Sequence, residues 1–219
     1  MARPVFGFSR LPVPCCRSEF GTAAFSRGHR YRWLLTRRFD LASPQIAANG
    51  ERKQLIFIGL NPSTAGANRD DPTLRRLSGY AKTWGYQRLV VINLFALMTP
   101  SPSSLRRHPR PVGSANDAVL LHWLRRWAHQ LHWDLWLGWG ANGSLKGRDQ
   151  WLLKHWAGLR HKRSSLGGGD ALCLGRTRGG HPRHPLYLPS SLRPLPWLAA
   201  EDALIGHPET KVLASTVRL

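Results

Sequence analysis

The sequence predicts an α/β domain, a three-layer sandwich with a central, mainly parallel four-stranded sheet. Four short apolar segments each end at a glycine or a polar residue, and segments with helical periodicity separate them. The apolar segments lie at residues 55–60, 89–97, 135–140 and 171–175. Such an alternation of strands and helices is typical of a parallel sheet that is covered by helices on both faces.

The first apolar segment and its flanks predict a strand, a turn and a helix. Residues 55–60 are apolar on both faces, as expected for a strand inside a sheet. A helix is expected to follow, because Asp71 can cap its amino end, Pro72 suits its first position and Gly85 can end it. Alternating aromatic and basic residues at 31–41 predict an earlier strand or hairpin arm.

The later elements continue the alternation. Residues 89–97 predict a second buried strand, and the four prolines between residues 100 and 111 predict an irregular loop. Helices are expected over residues 116–129 and 146–159, on the basis of their polar starts and apolar periodicity.

This pattern divides the chain into three parts. Residues 1–28 are rich in proline and arginine and lack periodicity, which predicts a flexible basic N-terminal extension. Residues 29–198 contain all the predicted elements and are expected to form a single α/β domain. Residues 199–219 are weakly patterned and predict a peripheral C-terminal tail.

The charge of the chain indicates the class of its partner. There are 32 Lys and Arg residues against 12 Asp and Glu, which gives a formal net charge of +20. A surplus of this size predicts attraction to a polyanion, with nucleic acid or a nucleotide as the first expectation. A solvated basic surface without a specific partner is the alternative.

Aromatic and sulfur-containing residues add two expectations. Ten tryptophans, half of them between residues 123 and 139, predict a core rich in indole rings, with a base-stacking surface as the alternative. The three cysteines form no disulfide framework and no CxxC metal motif, which favours a reducing, cytoplasmic location.

No apolar run approaches the roughly 20 residues that cross a bilayer, so no membrane partner is expected. Nothing in the pattern indicates an oligomeric state.

The ends of the predicted strands supply the candidate site residues. Carboxyl ends of parallel strands gather at one edge of a sheet, where ligands bind in open α/β folds. The candidates at these ends are Asn61, Pro62, Ser63, Thr64, Asn93, Trp139, Gly140, His181, Arg183 and His184.

The turn after the first strand is the most informative of these ends. The amide of Asn61 can bind a substrate carbonyl or hold a water, and Pro62 fixes the backbone beside it. Ser63 and Thr64 add hydroxyls suited to an anion or a nucleobase edge. The structural alternative is a turn whose side chains only satisfy nearby backbone groups.

Acidic and histidine residues offer further chemistry. Asp71 is a candidate catalytic carboxylate, with helix capping as the structural alternative, and the same two interpretations apply to Asp70 and to the Asn116-Asp117 pair. A histidine after the last strand can donate to a carbonyl oxygen or stabilise a leaving anion. His184 is therefore a catalytic candidate, whereas His181 and Arg183 are expected to bind substrate, the arginine through a phosphate.

No cofactor and no metal are expected. The chain has no HExxH motif or Cys/His cluster for a metal, no GxxxxGK[ST] loop for a triphosphate and no GxGxxG fingerprint for a dinucleotide.

Five motifs occur in order: GLNPSTAGANRDDPTLRR, VVINLFAL, the Asn116-Asp117 segment, LGWGANG and GHPRHPLYLP. Together they resemble the bacterial family known as domain of unknown function 1643, over about residues 30–198. That resemblance implies no activity by itself.

A more distant resemblance, to the uracil-DNA glycosylase superfamily, implies a chemistry. GLNPS is similar to that superfamily's first active-site motif, in which the asparagine matching Asn61 positions the attacking water. The superfamily's second motif is a His-Pro or Asn-Pro loop after a late strand, for which His181 and His184 are the candidates. The resemblance also implies a four-stranded parallel core. Ser63 and Arg183 differ from the residues usual in those motifs.

Three functions remain open. The first is a nucleic-acid or nucleoside enzyme that hydrolyses an N-glycosidic bond, with Asn61 orienting water and a histidine stabilising the departing base. The second is a non-catalytic nucleic-acid-binding module. The third is an enzyme that acts on a small acidic metabolite, with Asp70 or Asp71 as the base.

Overall fold

A computed structural model describes residues 15–198. Within that range the chain forms a mixed α/β fold with one eight-stranded sheet, in the order β1-β2-β3-β5-β4-β6-β7-β8. The strands are β1 (Cys15–Ser18), β2 (Gly21–Phe25), β3 (Arg32–Arg38), β4 (Gln54–Gly59), β5 (Arg88–Asn93), β6 (Trp133–Leu137), β7 (Leu172–Cys173) and β8 (Leu195–Pro196). The α-helices are α1 (Pro72–Thr83), α2 (Pro102–Arg107), α3 (Asn116–His129) and α4 (Arg148–Ser165).

The four strands expected from the apolar segments lie side by side as β5-β4-β6-β7, and each is parallel to its neighbour. The α/β class is therefore confirmed, but the expected count of four strands is wrong. β1, β2 and β3 extend the sheet beyond β5 in antiparallel pairs, and β8 pairs antiparallel with β7. The sheet is mixed rather than mainly parallel.

The N-terminal boundary is one correction. Residues 15–25 were expected to belong to a flexible extension, but β1 and β2 form a hairpin whose second strand pairs with β3. Ala23 and Phe25 are buried against Ala67, so apolar contact as well as backbone pairing holds the hairpin to the domain. Residues 1–14 and 199–219 lie outside the described residues, as do the predictions of an extension and a tail there.

The proline-rich loop is a second correction. Pro102 and the residues after it form the short helix α2, because Pro102 occupies its first turn, where a missing N–H costs nothing. Ser101 caps this helix by accepting a hydrogen bond from the Ser104 backbone N–H at 3.3 Å. The prolines therefore start a helix in a segment that was expected to be irregular.

The core occupies both faces of the sheet. Along β4, Ile56 and Ile58 pack in the cluster that contains α3 and α4, whereas Leu55 and Phe57 pack in the cluster that contains α1. This period of two produces three layers, with helices on each face of the sheet. The tryptophans between residues 123 and 139 are all buried, which confirms the indole-rich core. None of the helices in residues 15–198 is long and apolar enough to span a bilayer.

Candidate functional site

A small cavity lies at the carboxyl ends of β4 and β5, beside the amino end of α1. Its volume is about 40 Å³, which is room for one or two water molecules. Its polar lining consists of Arg32, Asn61, Ser63, Asp71, Thr73, Asn93 and His184, and the ring of Phe57 forms part of its wall. Two parallel strand ends and a helix start therefore meet at one polar cavity.

Asn61 is held by its amide nitrogen. Nδ2 donates to the backbone oxygens of Pro62, Leu97 and Thr99 at 2.9, 3.4 and 2.7 Å. Three acceptors occupy both hydrogens of this group, so Nδ2 has none left to donate to a substrate carbonyl. The expected carbonyl contact is therefore not available, and Oδ1 remains as an acceptor that can hold a water.

Asp71 caps α1 and also lines the cavity. Its Oδ1 accepts a hydrogen bond from the Leu74 backbone N–H at 2.8 Å, and its Oδ2 accepts one from the Ala65 N–H at 3.3 Å. Each oxygen keeps a further lone pair, so capping does not exhaust the carboxylate. The predicted cap is confirmed, and the charge of Asp71 is fixed at the cavity wall.

Asp70 points the other way. Its Oδ1 accepts from Arg37 Nε and Nη2 at 2.9 and 2.5 Å, and Arg37 also donates to the Gly66 carbonyl. This buried arginine fastens the segment after the Asn61 turn to β3. Asp70 therefore has a structural partner and does not line the cavity that contains Asp71.

His184 enters the cavity wall from the loop after β7. Its Nδ1 accepts from the Leu186 backbone N–H at 3.3 Å, which assigns the ring proton of the neutral form to Nε2. Burial lowers the pKa of His184, and the nearby Asp71 charge raises it to a smaller extent. At neutral pH the ring is consequently an uncharged N–H donor.

The position of Asn93 depends on Gly59 and on Asn116. A Cβ at Gly59 would lie 2.9 Å from Asn93 Oδ1 and 2.9 Å from Phe57 Cε1, so only glycine leaves this space free. Asn116 Nδ2 donates to the backbone oxygens of Asn93 and Leu94 at 3.0 Å each. The expected capping role of Asn116 is wrong, because Ala115 is the cap residue and Asn116 holds the end of β5.

Arg32 is a polar cavity residue that sequence reasoning missed, as is Thr73. Arg32 is only 5% exposed, and its Nη1 donates to the Ala65 carbonyl at 2.8 Å. Its Nε has no hydrogen-bond partner in the described part of the chain. Burial lowers the pKa of Arg32 to about 10, against an opposing effect of Asp71, so the group remains a cation at neutral pH. The alternation of basic and aromatic residues in β3 signalled a strand but did not show which arginine faces the site.

Several candidate residues lie outside this cavity. Pro62 is buried, Thr64 and Arg183 are exposed, and Trp139 packs in the core against Trp197. The backbone N–H of Gly140 donates to the Pro182 carbonyl oxygen at 2.9 Å and so supports the loop that carries His184.

His181 also lies elsewhere, because its Nδ1 is 3.2 Å from Asp149 Oδ2 at the start of α4. The residues at the end of β6, together with His181 and Arg183, therefore do not line the cavity that contains Asn61. In residues 15–198, no group of three His, Cys, Asp or Glu side chains is arranged to hold a metal ion.

Comparison with known proteins identifies a family. Residues 32–186 match the family model described as "Protein of unknown function (DUF1643)". No curated protein and no solved structure matches the chain. The matched segment includes every polar residue of the cavity, from Arg32 to His184. Because it covers more than half of the sequence, the chain belongs to the DUF1643 family.

Proposed function

We propose that this protein is a hydrolase that cleaves the N-glycosidic bond of a nucleobase in nucleic acid or in a nucleoside. The observation that carries the proposal is that Asn61, Asp71 and His184 line one cavity at the carboxyl ends of two parallel strands. These three side chains supply an acceptor for water, a fixed negative charge and a neutral N–H donor.

Each side chain has a distinct role in the proposed reaction. Asn61 Oδ1 accepts a hydrogen bond from the attacking water, since Nδ2 is occupied. The water oxygen bonds to the anomeric carbon of the sugar as the bond to the base nitrogen breaks, and that electron pair leaves with the base. Asp71 takes the proton of the water and stabilises positive charge on the sugar, while His184 Nε2–H donates to the departing base anion.

Two further observations support this assignment. The Asn61 turn and the His184 loop resemble, in sequence and in order along the chain, the two active-site motifs of the uracil-DNA glycosylase superfamily, and this resemblance supports the proposal. The net charge of +20 favours a polyanionic substrate. At about 40 Å³ the cavity is smaller than a base, so binding of a flipped base requires the cavity to open.

A substrate panel tests the proposal. Purified protein is incubated with single- and double-stranded oligonucleotides that contain uracil, hypoxanthine or an alkylated base, and with the free nucleosides. Released base is measured by chromatography, and abasic sites by alkaline strand cleavage. We expect base release with at least one substrate, and a loss of about 100-fold or more in rate for Asn61→Ala and for His184→Gln.

Matched controls separate chemistry from folding. His161→Gln on the exposed face of α4 and Asn49→Ala in an exposed turn make the same chemical changes away from the cavity. Both controls should retain the wild-type rate. Tight, salt-sensitive binding of the oligonucleotides without any base release would contradict the proposal and favour a non-catalytic binding module.

One observation favours a second candidate, an enzyme that acts on a small acidic metabolite. The compact cavity contains a buried arginine beside Asp71, and a guanidinium is the usual partner of a carboxylate or phosphate ligand. This candidate predicts that small dicarboxylates or phosphate esters raise the melting temperature of the wild type but not of Arg32→Met. The N-glycosidase predicts no such shift.

A further inference from the structure

A second, larger cavity lies on the other side of the segment that carries Asp70 and Asp71. Its volume is about 220 Å³, and the β1–β2 turn, the end of β3, residues 67–70 and α1 enclose it. The lining residues that matter here are Phe20, Arg38, Phe39, Asn68, Ser78 and Lys82. The two cavities have no lining residue in common.

The charge in this cavity is positive. Arg37 and Asp70 also line it, but they pair with each other at 2.5 Å. Arg38 and Lys82 make no ion pair with a carboxylate among residues 15–198, which leaves two cations at the rim. Two basic side chains at the rim of an open cavity are suited to a phosphate group.

Aromatic rings stand beside these cations. Phe20 is 58% exposed at the turn between β1 and β2, so a large apolar ring faces solvent at the mouth of the cavity. Lys82 Nζ lies 5.3 Å from the centre of the Phe39 ring. An exposed ring next to phosphate-binding cations is the arrangement by which proteins stack a base and hold its phosphate.

A buried hydroxyl completes the cavity. Ser78 on α1 is 9% exposed, and its Oγ has no hydrogen-bond partner within residues 15–198. A buried polar group without a partner costs free energy, and a ligand that accepts its hydrogen bond removes that cost.

We propose that this second cavity binds a nucleotide, with the phosphate at Arg38 and Lys82 and the base against Phe20. The ligand is either a free nucleotide or one nucleotide unit of a strand, because the contacting groups are the same in both. The site is independent of the proposed hydrolysis, since it shares no residue with the cavity that contains Asn61.

Equilibrium binding of thymidine monophosphate and of a short thymidylate oligonucleotide tests the proposal. The charge variant is Arg38→Gln with Lys82→Gln, and its control is Arg106→Gln with Lys162→Gln, at exposed positions on α2 and α4. The ring variant is Phe20→Ala, and its control is Tyr187→Ala, at a position that is 89% exposed. Ser78→Ala is a third variant, which removes only the hydroxyl; alanine favours a helix, so this variant should fold, and it should also weaken binding.

We expect the charge variant and the ring variant each to weaken binding by about tenfold, and their controls by less than about twofold. Binding of both probes in this way identifies a nucleotide site, and binding of the oligonucleotide alone identifies a strand-binding site. Equal losses in the variants and their controls would overturn the proposal, because the chain would then bind only through diffuse charge. No binding of either probe would overturn it as well.

Discussion

At the scale of single residues, Asp71 combines a structural and a chemical role. Its carboxylate caps α1 through the Leu74 backbone N–H and lines the cavity beside His184. Capping needs only an acceptor oxygen, whereas the proposed proton transfer needs the charge. The two roles can therefore be separated by substitutions that keep one and remove the other.

Asp71→Asn is expected to keep the cap and lose the activity, because asparagine caps helices as well as aspartate does. Asp71→Ala should lose both, with a decrease of about 1 kcal/mol in the free energy of unfolding from the missing cap. Urea denaturation and base-release rates measure the two effects. Full activity of Asp71→Asn would show that the carboxylate has no catalytic role, and Asp40→Asn controls for the loss of one charge.

The residues also show where sequence reasoning reaches its limit. The Asp71 cap could be predicted because it depends on local order alone, an acceptor followed by Pro72 and a helical pattern. The hydrogen bonding of the Asn61 amide could not be predicted, because its acceptors are the carbonyls of Leu97 and Thr99, more than thirty residues away. Arg32 faces the cavity only because β3 lies beside β5, a pairing that its own sequence does not specify.

At the scale of elements, close approach at the end of β4 shapes the cavity. A Cβ at Gly59 would meet Asn93 Oδ1 and Phe57 Cε1, both at 2.9 Å, and both atoms belong to residues of the cavity wall. Both the Asn93 amide and the Phe57 ring must therefore shift to make room for a side chain at this position. The absence of a side chain at Gly59 therefore determines how closely Asn93 and Phe57 pack in the cavity wall.

Gly59→Ala is expected to lower stability by about 1–3 kcal/mol and to reduce base release, since it crowds Asn93 and Phe57. Its matched control is Gly79→Ala on α1, where an added Cβ meets nothing within 4 Å. The free energy of unfolding of that control should increase by about 0.5–1 kcal/mol, because alanine has a higher helix propensity than glycine. Thermal and urea unfolding measure both. An unchanged stability of Gly59→Ala would show that the close approach is not restrictive.

The β1–β2 hairpin permits a test of the domain boundary. Deleting residues 1–28 would expose the edge of β3 and the apolar contacts of Ala23 and Phe25. We expect the truncated protein to unfold at a lower temperature and to aggregate, as measured by scanning calorimetry and light scattering. A truncated monomer with the full-length melting temperature would contradict the hairpin's role.

The elements that sequence predicted are those with strong periodicity. The four parallel strands follow from apolar runs, and helix α3 follows from the apolar periodicity of its own segment. The hairpin was missed because its second strand, GTAAF, has little apolar bulk. The order in which the strands pair depends on contacts between distant segments, and local pattern does not encode it.

At the scale of the whole molecule, buried and half-buried histidines make stability depend on pH. Burial lowers the pKa of His122, His132 and His184 below the ordinary value of 6.5. The folded chain therefore binds fewer protons than the unfolded chain as pH falls through this range. The stabilisation is complete above the unfolded pKa and is lost as pH falls through the folded values.

We expect the free energy of unfolding to decrease from neutral pH to about pH 5.5, a range in which carboxylates stay largely ionised. Urea titrations followed by tryptophan fluorescence measure this slope. His184→Gln should reduce the slope of the free energy of unfolding against pH, whereas His161→Gln, at an exposed position on α4, should leave it unchanged. A stability that is constant or rises as the pH falls would contradict this account of the histidines.

The most direct test of the central claim follows the water oxygen into the products. The reaction is run in oxygen-18-labelled water on a substrate from the oligonucleotide and nucleoside panel. The masses of both products are then measured by mass spectrometry. Hydrolysis at the N-glycosidic bond predicts one labelled oxygen in the sugar product and none in the released base, with the signal abolished in Asn61→Ala. Label in the base, which hydrolytic deamination would produce, or no released base from any substrate, would contradict the proposed function.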